Sequence, residues 1–281
     1  MKLGKFDNNR CAYHCLHLVV KRGEAASTAF SSVVVKVSRK VEFFRRSPVA
    51  LKSLKECQTR FSLPANKLKQ QVTTRWNSTY EMIDRFIQQK QAIGDYANRN
   101  NDFENLTRDE WDILEEGRNL LKPFVIASMK FSASDCSISE VIPTVKWLFH
   151  KVESTAVSIL SEMKNELMIW LQKEDPQYFG GLEQKPTYSF ATFLDPRYKD
   201  AFYRQPSTTT EVVRLLSSAL HDLASAQTAT VSAANSANVV STVASNDCDF
   251  NLDDVAAPTV SQGASNSSGI LCYSHSMDVI K

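Results

Sequence analysis

Apolar residues recur along much of the chain at spacings of three and four, the period of helices with one buried face. Residues 11–22, CAYHCLHLVVKR, predict a short buried helix with Leu16, Leu18, Val19 and Val20 inward. Over 29–46, Phe30, Val33, Val34, Val37, Val41 and Phe44 form a helical stripe, although the valines of SSVVVKV also favour strands. A basic helix follows over about 48–61, with Pro48 in its first turn. LKQQVTTRW, 68–76, mixes polar and apolar positions and reads as a short strand with an exposed edge.

Further on, start signals punctuate the pattern. Ser78-x-x-Glu81 reads as a capping box opening a helix with Tyr80, Ile83, Phe86, Ile87 and Ile93 inward. Thr107-x-x-Glu110 is a second box, flanked by Leu106 and Trp111 at the positions of a hydrophobic staple. That helix is expected to run to about Leu121, with Pro123 marking its end or a kink. Ser137-x-x-Glu140 starts the next helix, whose first turns tolerate Pro143. Another spans about 155–173, with Ile159, Met163, Leu167 and Trp170 inward. Residues 174–189 hold two prolines and two glycines and read as a loop, and order resumes over 188–203.

After Arg204 the chemistry changes. Between Arg214 and Lys281 there is no Lys or Arg, and Ser, Thr, Ala and Asn dominate. Such a segment buries too little apolar surface to offset its ordering entropy, so 204–281 is expected to be a disordered tail, with at most an isolated helix over 212–224.

Composition changes the picture in one respect. The net charge of +2 hides an asymmetry: residues 1–76 carry sixteen Lys/Arg against four Asp/Glu, and the remainder seventeen against twenty-seven. The densest run holds Lys36, Arg39, Lys40, Arg45, Arg46, Lys52, Lys55 and Arg60. It reads either as a polyanion-facing surface or as a solvated helix face balanced by acids elsewhere. The opening residues lack the apolar stretch of a signal peptide, and no apolar run is long enough to cross a bilayer, so no membrane partner is expected. Six scattered cysteines suit free thiols in a reducing compartment.

Candidate chemistry is sparse. Cys11-x-x-His14, with Cys15 and His17, has zinc-ligand residue types. On one helix they diverge, and no second pair follows at finger spacing, so a packed structural role for Cys11 and His14 is favoured. No nucleophile elbow, phosphate-binding glycine loop or metalloprotease motif occurs. Asp195, in LDPRY, reads as a turn device. Trp76, between Arg75 and Asn77, is either plain core or a wedge that stacks on a base while Arg75 meets a phosphate.

Several segments in this order resemble the hAT family of DDE transposases and the BED-type zinc-finger proteins derived from them. The likeness lies in CAYHCLHLVV, FFRRSPVALKSL, VTTRWNSTYEMIDRFIQQKQAI, EWDILEEGRNLLKPF, SISEVIPTVKWL and TFLDPRYKDAF, and covers about residues 10–203. The resemblance implies a mainly α chain: an incomplete RNase H-like α/β core over 1–77, an all-helical insertion domain over 78–203 and a disordered tail over 204–281. It implies a nuclear protein that binds DNA through Arg75, Trp76 and the basic segment, with Trp76 near a flipped base. The alternative is a helical protein–protein interaction scaffold, with the insertion over 78–203 as the binding surface and no DNA contact. In the family two aspartates and one glutamate hold divalent metal ions for strand transfer. Asp7 stands too close to Cys11 to match the second aspartate, and the tail offers no counterpart of the glutamate. The expectation is therefore a transposase-derived protein with no catalytic residues and no cofactor.

Overall fold

The computed structural model describes residues 10–237 apart from 73, 74 and 176, with side chains to residue 225. Ten α-helices and one 3-10 turn make up the order, and no strand occurs among the described residues. They run α1 Ala12–Ala26, α2 Thr28–Arg46, α3 Pro48–Arg60, α4 Trp76–Gln88, α5 Lys90–Arg99 and α6 Arg108–Phe131. The 3-10 turn Ile138–Glu140 leads into α7 Val141–Ser154, followed by α8 Ser161–Gln172, α9 Pro186–Leu194 and α10 Pro206–Ala237.

The first three helices form where the apolar period places them. Single residues separate them: Ser27 between α1 and α2, and Ser47 between α2 and α3. Both serines have extended backbone, which breaks the helix, and each hydroxyl accepts from an N–H of the next helix. Ser27 Oγ caps Phe30 N–H at 3.2 Å, and Ser47 Oγ caps Ala50 N–H at 3.1 Å. All six stripe residues of α2 are buried. Packing therefore overrides the strand preference of its valines. Leu16, Val19 and Val20 of α1 are buried, and Leu18 packs half-buried against the core.

The expected strand over 68–76 is absent. Residues 63–72 run without regular structure, and 73 and 74 lie outside the described residues. Side chains, rather than a neighbouring strand, satisfy this backbone. Gln58 donates to Asn66 O, Gln89 to Pro64 O and Arg85 to Lys67 O. The helix expected after Ser78 begins at Trp76 instead. Ser78 Oγ folds back within hydrogen-bond distance of the carbonyls of Arg75 and Val72 and accepts from Val72 N–H. Glu81 turns away to Lys69, so the Ser78–Glu81 box does not form. A break at Gln89 then separates α4 from α5, and the buried Gln89 amide meets the buried Gln58 amide at 3.0 Å.

The Thr107 box forms in full. Thr107 Oγ1 accepts from Glu110 N–H at 3.2 Å, and Glu110 Oε2 accepts from Thr107 N–H at 2.8 Å, with Leu106 and Trp111 both buried. The helix it starts does not end near Leu121. α6 continues through Pro123 to Phe131, because Phe124, Ala127 and Ser128 extend the buried stripe. That burial offsets the hydrogen bond that a proline removes.

α8 begins at Ser161, later than expected, and Ile159 is exposed while Met163 and Leu167 are buried. Glu116, on α6, gathers Ser158 N–H and Oγ–H, Ile159 N–H and Leu160 N–H on its carboxylate at 2.6–2.9 Å. It serves as a long-range cap for the entry to α8. Burial raises the Glu116 pKa, but the hydrogen bonds from Ser158, Leu160 and Ile159 outweigh it and hold the carboxyl below its usual range. Its contribution is therefore complete above the unfolded carboxylate pKa of about 4.3 and fades as pH falls through the lower folded value. Glu116→Ala should destabilise the protein by roughly 0.5–2 kcal/mol at pH 7. In urea titrations the gap from wild type should shrink below about pH 4; a gap that does not change with pH would remove the charge from this explanation.

The tail expected over 204–281 is helical in its first part. α10 runs from Pro206, and Val212 anchors it in the core. A helix satisfies its own backbone hydrogen bonds, and Val212 gives its first turns a buried contact. Residues 238–281, including Cys248 and Cys272, lie outside the described residues. Cys11, Cys15, Cys57 and Cys136 are free thiols.

The chain divides near residue 226, and the unit before it has one core. α1 lies on α8 and α6, α2 on α6 and α3, α3 on α5, and α4 on α6. Helices from both sides of position 77 share that core. Among the described residues no helix is long and apolar enough to cross a membrane.

Candidate nucleic-acid interface

The basic segment lies on α2 and α3, and burial sorts it. The inner side of α2 is filled by the stripe from Phe30 to Phe44, and that of α3 by Ala50, Leu54, Cys57 and Gln58. Basic side chains can only flank that stripe or point outward, and the two groups behave differently.

The flanking cations are held. Lys36 Nζ bonds both oxygens of Glu110 at 2.9 and 3.0 Å, so one carboxylate closes the α6 cap and ties α2 to α6. Burial raises the Glu110 pKa; the bonds from Thr107 and Lys36 outweigh it and leave the carboxyl below its usual range. Lys40 donates to Glu104 O and sits 4.6 Å over the Phe103 ring, and desolvation lowers its pKa. Arg46 pairs with Glu42 one turn back, and Arg60 with Asp95.

The outward cations are not. Arg39, Arg45, Lys52 and Lys55 are exposed. None has a carboxylate partner among the described residues, whose ion pairs use other cations. Arg75 is likewise exposed and unpaired at the start of α4.

Trp76 is 0% exposed. Its ring meets Phe124 edge-on, with centroids 6.4 Å apart, and its Nε1 has no acceptor in the structure. The plain-core alternative describes this position, and the indole cannot stack on a base in this conformation. Beside it, Asn77 Nδ2 donates to Tyr13 Oη at 3.2 Å and Ser128 Oγ at 3.4 Å, which turns the amide inward. Arg75 and Trp76, adjacent in sequence, thus face opposite environments.

Cys11 and His14 do not pack inward together. Cys11 is exposed at the N-cap of α1, and His14 is exposed with its ring stacked on His17 at 6.3 Å. The packed side of this turn is Cys15 and Leu16. Desolvation, with Lys21 and His14 nearby, lowers the His17 pKa. Among the described residues no three His, Cys, Asp or Glu side chains gather to hold a metal ion. The described residues therefore do not fit the metal pair of the transposase family.

Asp195 does more than turn the chain. Its carboxylate accepts from Arg197 N–H at 3.0 Å, from the Arg197 guanidinium at 2.8 and 3.0 Å, and from Ser139 Oγ at 2.7 Å. Arg197 also reaches Glu140 at 3.2 Å, which Lys130 approaches at 3.4 Å. Hydrogen bonds from Arg197 and Ser139 hold the Asp195 carboxyl far below its ordinary range. The group clasps the end of α9 to the start of α7. The Asp-Pro-Arg order was the visible part of this network; Ser139 and Glu140 lie too far along the chain to be read with it.

Residues 9–119 match the model of the ZBED1 RNase-like helical domain. Zinc finger BED domain-containing protein 4 of Homo sapiens is 28% identical over 207 residues, 72% of this chain and 17% of the relative. A putative AC transposase of Zea mays is 25% identical over 214 residues, 70% of this chain and 24% of the relative. Over this region the chain is similar to hAT-type transposases and to BED-type zinc-finger proteins. Zinc finger BED domain-containing protein 6 of Homo sapiens extends the pattern, at 24% identity over 208 residues, 72% of this chain and 21% of the relative. The chain thus spans only about a fifth of the length of these BED-type relatives. No solved structure matches the chain significantly. The matched domain contains α1 to α5 and the first half of α6, and so holds every outward cation described above.

Proposed function

We propose that this hAT-derived chain is a nuclear DNA-associated protein that performs no strand transfer with its described residues. The outward cations carry the reading: Arg39, Arg45, Lys52, Lys55 and Arg75 are exposed without carboxylate partners, within the region shared with transposase-derived relatives. Side chains of this type neutralise phosphates and release counterions, which is the main source of affinity for a nucleic-acid backbone. Two of the similar proteins are named BED-type zinc-finger proteins rather than transposases, which supports the non-catalytic part.

With five phosphate contacts, affinity for duplex DNA should fall roughly 10²–10³-fold between about 50 and 200 mM salt. Fluorescence anisotropy of a labelled duplex titrated with the full chain measures this. Undetectable binding at low salt would end the DNA reading, and magnesium- or manganese-dependent nicking by the purified chain would end the non-catalytic one.

A further inference from the structure

We propose that the α2–α3 face binds duplex DNA through phosphates alone, blind to base identity, and that only the unpaired cations take part; this deepens the DNA reading above and rests on it. Two kinds of observation converge. The first is the sorting of charge. Lys36, Lys40, Arg46 and Arg60 already have protein partners, and Lys36 and Lys40 reach across to Glu110 and the Glu104–Phe103 turn. Withdrawing those two for DNA would release the α2–α6 junction. Arg39, Arg45, Lys52 and Lys55 can be recruited without breaking an ion pair among the described residues.

The second is that most groups able to read or stack on bases are engaged within the protein, although Phe43 and Phe61 are partly exposed. Trp76 is sealed against Phe124. The Phe43 ring, at the edge of α2, is engaged by Phe44, Tyr96 and Phe103 at 5.3–6.3 Å. Amides that could pair with an adenine edge are occupied too: Gln58 by Gln89, Gln70 by Ser38 Oγ at 2.7 Å, and Asn77 by Tyr13 and Ser128. Single strands bind tightly where aromatic platforms accept their bases; here the two partly exposed rings are Phe43, held among Phe44, Tyr96 and Phe103, and Phe61 at the end of α3. A duplex compensates with charge, one phosphate per about 1.7 Å of axis.

The test compares three labelled ligands with the full chain: a short duplex, a duplex of scrambled sequence and a single strand of equal length. A variant carrying Arg39→Gln, Arg45→Gln, Lys52→Gln and Lys55→Gln is measured beside wild type, and its fold is checked by circular dichroism. The two duplexes should bind within about twofold of each other, and both at least about tenfold tighter than the single strand. The variant should bind duplex at least about tenfold more weakly, with the magnitude of its log–log salt slope reduced by about 3–4, and should unfold at the wild-type urea midpoint. Tighter binding of the single strand, or strong preference for one duplex, would overturn the inference while leaving DNA association intact. Wild-type affinity in the variant would overturn it as well. Absence of binding to all three ligands would overturn both this inference and the reading beneath it.

Discussion

Trp76→Ala is expected to lower the unfolding free energy by about 3–5 kcal/mol, the range for truncating a fully buried large aromatic. The indole is completely enclosed where α4 meets α6 and is the largest fully buried side chain of the core. Removing it leaves a void lined in part by the edge-on ring of Phe124. Trp76→Phe should cost much less. It keeps a ring in the site and deletes an Nε1 that has no acceptor to lose. Urea denaturation followed by circular dichroism measures both. If Trp76→Ala is as stable as wild type yet impairs DNA binding, the ring serves a ligand and the structural assignment is wrong.

Gly117→Ala should destabilise by about 1–3 kcal/mol or more, although alanine is the better helix former by about 1 kcal/mol. A Cβ at this position of α6 would stand 2.2 Å from Phe30 Cε2 and 2.8 Å from Cδ2. Phe30 is itself 1% exposed on α2, so the ring has no open side into which to retreat. The glycine lets α2 and α6 approach, and the same helix pair carries the Lys36–Glu110 bridge. Adding Phe30→Leu in the Gly117→Ala background should recover part of the loss. A thermal unfolding midpoint above wild type for Gly117→Ala would mean that helix preference, not the close approach, governs the site.

What could be read from the sequence was what neighbours in the chain decide. The α2 stripe and the Thr107 box need only residues within a few turns, and both formed as the pattern implied. The Ser78 box had the same letters and failed, because Lys69 drew Glu81 away and the Ser78 hydroxyl found the carbonyls of Arg75 and Val72. The missing strand failed for a related reason: Gln58, Arg85 and Gln89, distant in the chain, satisfied the backbone that a sheet partner would have satisfied. Of the basic run, sequence supplied the density of charge but not its division. Lys36 and Arg39 are three residues apart, yet one answers Glu110 across 74 positions and the other answers nothing among the described residues. Glu116 was invisible for the same cause, its partners lying more than forty positions onward.

On α2 the inward residues are wholly apolar, while Arg39 and Arg45 touch none of the bonds that join the helices. Selection can therefore act on the two sides separately. Exchanging the outward residues would change the charge that α2 presents to solvent without rebuilding the packing of the scaffold.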